Sequence, residues 1–133
     1  MNDYNSTPAG RAKRRAYNRS PKRRAFDTAR NASPAWKLYL RKRKLAGYGL
    51  TPEAYDAILT RQGGVCAIAG CGRAPNGKAL HVDHDHSCCP GRTSCGKCVR
   101  GLLCAGHNAA LGLLGDNEAG VASALDYLKR KYA

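Results

Sequence analysis

Acidic side chains are scarce in this chain. Nine Asp and Glu stand against 23 Lys and Arg in 133 residues, a formal net charge of +14. That balance favours a polyanionic partner, with nucleic acid first and an acidic membrane surface second. Long apolar runs are also missing. None approaches the roughly 18 residues of a transmembrane helix, which sets a membrane-spanning protein aside. The N-terminus lacks the apolar stretch of a secretory signal, so the expected setting is soluble and cytoplasmic. Residues 1–33 have few large apolar groups and many Arg, Asn, Ser and Ala. Such a stretch buries too little surface to offset the entropy of ordering, and the expectation there is a flexible basic arm. There are no internal repeats, and the length suits one modest domain.

The charge is concentrated at one end. Residues 1–49 carry 14 Lys and Arg against two acids, Asp3 and Asp27, whereas residues 50–133 carry nine against seven. The blocks Lys13-Arg14-Arg15 and Lys22-Arg23-Arg24 are candidate phosphate contacts, as basic N-terminal arms commonly bind nucleic acid. The plainer alternative is a solvated tail. The domain expected over 34–133 opens with a basic helix, 34–46, in which Ser33 caps and Pro34 takes the first turn. Arg41, Lys42, Arg43 and Lys44 on that helix are further candidate DNA contacts. Thr51-Pro52 starts a second helix that Gly63-Gly64 ends. Residues 79–83 and 98–103 read as two antiparallel strands. A helix from about 105 to 114 follows, and a last one spans 117–131. A ββα core is expected over about 64–115.

Seven cysteines are many for this length. Without a secretory signal, metal ligation is the better reading than disulfides. Cys66-x4-Cys71 precedes the first strand, and Cys104-x2-His107 lies where the second strand gives way to a helix. Two short-spaced pairs distant in sequence make a Cys₃His set suited to a closed, structural Zn²⁺. Inert buried thiols are the alternative. Cys88, Cys89, Cys95 and Cys98 suggest a second zinc that would order a long loop. A disulfide from Cys88 or Cys89 to Cys95 or Cys98 stays open, as does recruitment of His86 as a ligand.

The segment His81-Val82-Asp83-His84-Asp85-His86 gathers three imidazoles and two carboxylates. Phosphodiester hydrolysis needs a base for water, a cation for the phosphate and help for the departing oxygen. His84 can be the base, and Asp83 and Asn108 are oxygen ligands suited to Mg²⁺. Strand alternation sends Asp83 away from His84, so the strand must turn for the groups to converge. The competing reading makes His81, His84 and His86 further zinc ligands.

Several stretches together resemble the phage recombination endonuclease VII family, of the HNH or His-Me finger type. They are Tyr48-Gly49-Leu50-Thr51-Pro52-Glu53, Gly64-Val65-Cys66-Ala67-Ile68, Val82-Asp83-His84-Asp85-His86, Val99-Arg100-Gly101-Leu102-Leu103-Cys104 and the run from Asn108 through Leu111-Gly112-Leu113-Leu114-Gly115-Asp116-Asn117. The resemblance covers about residues 45–130. It implies an α+β, zinc-bound His-Me finger (ββα-metal) domain that cleaves branched or distorted DNA with Mg²⁺, for which Mn²⁺ can substitute. It implies that Asp83 and Asn108 hold the catalytic metal, that His84 activates water, and that His86 and Arg100 contact phosphate. His81 has a weaker claim. The family usually has Cys-x2-Cys where this chain has Cys66-x4-Cys71, and a fourth Cys where this chain has His107. Segment 87–98 replaces a short turn. Long members use further C-terminal helices to dimerise on four-way junctions. The expectations here therefore include junction resolution, nicking, and work beside phage packaging or recombination machinery, with a homodimer open. The rival is a non-catalytic zinc module that binds nucleic acid as a regulator.

Overall fold

The computed structural model describes residues 6–130. Residues 1–5 of the expected arm, and Lys131 at the end of the expected last helix, lie outside the described residues. The chain combines helices with one small sheet. The order is α1 (Pro8–Arg19), α2 (Pro21–Ala32), α3 (Pro34–Ala46), α4 (Pro52–Arg61), β1 (His81–His84), β2 (Val99–Leu103), α5 (Ala105–Leu113) and α6 (Glu118–Lys129). It divides into two compact units, residues 1–41 and 42–133. The division falls inside α3, where the sequence reading set a boundary after residue 33.

Where the sequence suggests a flexible arm, the first unit is helical. Residues 8–32 form two helices, and α1 packs on α2. The physical reason lies in their starts. Thr7-Pro8 and Ser20-Pro21 carry the same signal as Ser33-Pro34 and Thr51-Pro52: a hydroxyl that caps, and a proline in the first turn that has no N–H to lose. Thr7 Oγ1 accepts from Gly10 N–H at 3.1 Å, and Ser20 Oγ accepts from Arg23 N–H at 3.2 Å. Ala, Arg and Lys are good helix formers and propagate each start. Asp27 receives Arg23 from one turn before and Arg30 from one turn after, each at 2.9 Å. Arg30 lies over the Trp36 ring at 4.7 Å and Arg23 over the Phe26 ring at 5.4 Å, so each of these rings has a guanidinium against it.

The second unit is held by a small core of Leu45, Tyr55, Cys66, Leu80, Val82, Leu102, Leu103 and Cys104. Leu102 is fully buried, and its truncation to Ala would cost about 2–5 kcal/mol. Two of the eight core residues are cysteines. Polar clamps complete the frame. The Tyr55 hydroxyl donates to Leu80 O at 3.0 Å. Gln62 reaches β2 from the end of α4, accepting from Leu102 N–H at 2.8 Å and donating to Leu102 O at 3.0 Å. The two strands are antiparallel, and α5 packs on both.

The register matters most. His81 pairs with Leu103, Val82 with Leu102 and Asp83 with Gly101, but His84 pairs with Val99. Arg100 is therefore skipped, a bulge that bends the strand and re-aims its neighbours. The turn that strand alternation requires between Asp83 and His84 is made by an extra residue on the opposite strand.

Candidate metal centres and candidate active site

The first ligand group ties three parts of the second unit together. Cys66 and Cys71 flank a turn after α4, Cys104 follows β2 at the N-cap position of α5, and His107 lies in the first turn of that helix. Their ligand atoms all lie within 4.8 Å of one another. Cys66 Sγ is 3.5 Å from His107 Nδ1, Cys104 Sγ is 3.4 Å from the same nitrogen, and the Cys71 and Cys104 sulfurs are 3.9 Å apart. A tetrahedral zinc with Zn–S of about 2.3 Å needs sulfurs about 3.8 Å apart, whereas a disulfide needs about 2 Å. The backbone N–H of His107 draws the Cys104 thiol down to about 6, so it is readily the thiolate a metal requires. Arg73 Nη1 adds a cation 4.0 Å from the same sulfur.

Cys88, Cys89, Cys95 and Cys98 form the second group, again with all ligand atoms within 4.8 Å. The sulfur separations are 3.8 Å for Cys88–Cys89, 4.0 Å for Cys88–Cys95 and 3.8 Å for Cys95–Cys98. All seven cysteines are free thiols. The Lys97 backbone N–H holds Cys95 down at about 6, while contact with the Cys89 thiol pushes Cys88 up to about 12. Neighbouring Cys88 and Cys89 therefore both reach one centre, and His86 is outside the set. Both groups could bind zinc.

Asp83 and His84 are both buried, at 9% and 4% exposure. His84 Nε2 is 3.1 Å from the carbonyl oxygen of Cys89. A carbonyl only accepts, so Nε2 carries a hydrogen, and in the neutral ring the lone pair falls on Nδ1. The Tyr48 ring meets His84 edge-on at 6.0 Å, and the exposed His86 ring lies against it at 4.5 Å. Arg100 donates from Nε and Nη2 to Asp83 at 2.7 and 3.1 Å, and also reaches Asp116. These bonds, Asp83 first, raise the Arg100 guanidinium still further above its ordinary value. Asp85 turns instead to Ser87, whose N–H and hydroxyl it accepts at 2.8 and 2.6 Å, and these hold its carboxyl below the usual range. Asn108 is half-buried in the first turn of α5, with its own N–H bonded to Cys104 O. His81 is exposed at the outer end of β1.

A cleft of about 690 Å³ opens beside the bulge, with Asp85, His86, Lys97, Arg100, Asp116 and Glu118 among its lining residues. It is reached by His86 and Arg100 rather than by Asp83 or His84. Lys13, Arg14 and Arg15 lie on α1, and Lys22 and Arg24 on α2; all five are exposed, and Arg23 is half-buried. Arg41, Lys42, Arg43 and Lys44 are exposed on α3.

Three participants escape sequence reasoning. Asp116, in a left-handed conformation at φ 55°, anchors the far side of Arg100. Tyr48 and the Cys89 carbonyl both face His84. Of these, Tyr48 and Asp116 stand in the sequence runs noted above without a role assigned to them, and the Cys89 carbonyl leaves no trace.

Among the described residues no helix is long and apolar enough to cross a membrane. No solved structure matches the chain. The "Gene 59 protein" of Mycobacterium phage D29 is 43% identical over 105 residues, 77% of this chain and 54% of that protein. The "Gene 59 protein" of Mycobacterium phage L5 is 47% identical over 79 residues, 58% of this chain and 38% of that protein. The chain thus spans about half or less of the curated relatives it matches. Residues 41–130 match recombination endonuclease VII, and since that is most of the chain, it belongs to the recombination endonuclease VII family.

Proposed function

We propose that this chain is a metal-dependent DNA endonuclease of the HNH or His-Me finger type, acting on branched or distorted duplex DNA by junction resolution or nicking. The observation that carries the reading is His84: buried and held through Nε2, which in the neutral ring leaves the lone pair on Nδ1. Such an imidazole can take a proton from an attacking water without turning away. Asp83 and Asn108 would hold Mg²⁺, with Mn²⁺ as a substitute; the donor set is hard oxygen, as that ion prefers. When bound, the ion offsets charge on the phosphate and steadies the departing oxygen.

The remaining roles belong to the chain itself. Arg100 sits between Asp83 and Asp116, so it can shift toward Asp116 and leave a carboxylate oxygen of Asp83 for a cation. His86 and Arg100 line the cleft and would meet phosphate oxygens. Zinc at Cys66, Cys71, Cys104 and His107 would lock β2 and α5 to the turn after α4, a purely structural duty. The basic residues of α1, α2 and α3 would track the DNA backbone, in a host cytoplasm if the protein is phage-encoded. Incubation with supercoiled plasmid and with a synthetic four-way junction, in Mg²⁺ or EDTA, tests activity and substrate together. Cleavage only with Mg²⁺ supports the proposal; tight DNA binding without cleavage favours the regulatory zinc module.

A further inference from the structure

We infer that the four-cysteine loop is a second zinc site and that its metal fixes the ring of His84 from behind, making residues 88–98 a positioning element for the buried histidine. The activity consequence rests on His84 being the base proposed above; the metal and ring consequences do not.

The four sulfurs already stand near the edge length of a zinc tetrahedron, 3.8–4.0 Å in the three measured pairs. Four thiolates with no water-filled position suit a closed site, and binding would release their protons to solvent. Cys89 links the cluster to the histidine. Its sulfur belongs to the cluster, while its carbonyl oxygen accepts the hydrogen of His84 Nε2 at 3.1 Å. Fixing the sulfur limits where that carbonyl can point.

A second set of contacts converges on the same ring. Gly49 and Gly96, at φ +64° and +83°, meet backbone to backbone. A Cβ on Gly49 would come within 2.7 Å of Gly96 N, and one on Gly96 within 2.6 Å of Gly49 O. Ser94 N–H donates to Gly47 O at 3.0 Å. Between those two junctions lies Tyr48, whose ring meets His84. The loop therefore meets His84 directly through a carbonyl and indirectly through the Tyr48 turn. Without metal, an exposed loop of 11 residues without regular secondary structure has little burial to keep it in place.

The test combines metal analysis with nitrogen NMR of the His84 ring in the full chain. Wild type should bind two zinc per chain, and its neutral His84 should show one tautomer, hydrogen on Nε2. The double variant Cys95→Ser, Cys98→Ser should bind one zinc, show mixed His84 tautomers, and keep its affinity for DNA. Its turnover should fall about 10–100-fold, as for loss of an outer-shell partner. Should the variant fail to fold, cadmium-substituted wild type gives a second reading: one all-sulfur and one three-sulfur, one-nitrogen resonance are expected. One zinc per chain in wild type, a disulfide among the four cysteines, or an unchanged His84 tautomer after loss of the second zinc would each overturn the inference. Absence of cleavage in wild type with both metal and tautomer results as expected would defeat the nuclease reading alone.

Discussion

Arg100 is the unpaired residue of the β2 bulge, and its guanidinium grips both carboxylate oxygens of Asp83, at 2.7 and 3.1 Å. The Asp83 side chain is 11% exposed and that of Arg100 40%. A carboxylate so placed requires a positive partner, and in the structure described here the guanidinium is that partner.

Arg100→Ala should therefore destabilise the fold in EDTA by about 1–2 kcal/mol, the cost of leaving a largely buried carboxylate unpaired, reduced because the lost partner is partly screened by water. Excess Mg²⁺ should shrink that loss if Asp83 is a metal ligand, since a divalent cation replaces the guanidinium. Urea melts of wild type and variant with EDTA and with Mg²⁺ make the comparison. An equal loss in both conditions would argue that Asp83 binds no cation.

What the sequence disclosed and what it withheld follow from separation along the chain. The cysteine pairs are local patterns, and short spacing shows which residues share a turn. The conflict between strand alternation and a shared site at Asp83 and His84 was also readable, because it follows from the two-residue period. The solution was not: the register shift at Arg100 is a property of the pair of strands. Asp116 meets Arg100 across 16 residues of chain, and the Cys89 carbonyl is a backbone group, carried by every residue. The first unit shows a different contrast. Low apolar content outweighed the local signals Thr7-Pro8 and Ser20-Pro21, which mark helix starts as plainly as Thr51-Pro52 does.

Zinc at Cys66, Cys71, Cys104 and His107 should be inseparable from the fold of the second unit. Apparent binding energies of structural zinc are about 10–16 kcal/mol in small domains, comparable to or above a whole domain's stability. Strong chelation, or Cys104→Ser, should abolish the cooperative melting transition. Elemental analysis alongside calorimetry checks this. A metal-free protein with an unchanged transition would contradict the structural role.

Deleting residues 1–32 should weaken DNA binding without stopping cleavage at saturating DNA. Each lost phosphate contact should lower the slope of log K against log salt by about 0.9. Binding titrations over a range of salt give the slope directly. An unchanged slope would show that α1 and α2 carry their charge for something other than phosphate.

The most direct measurement is the cleavage rate of His84→Ala beside wild type, on saturating four-way junction or plasmid with Mg²⁺, together with its zinc content and DNA affinity. The account predicts a rate lower by about 10²–10⁴-fold, the usual cost of losing a general base, with zinc and affinity nearly unchanged. Asp83→Ala should be at least as damaging. If His84→Ala instead loses zinc and unfolds, or cleaves at the wild-type rate, His84 is not the base and the proposed active site is contradicted.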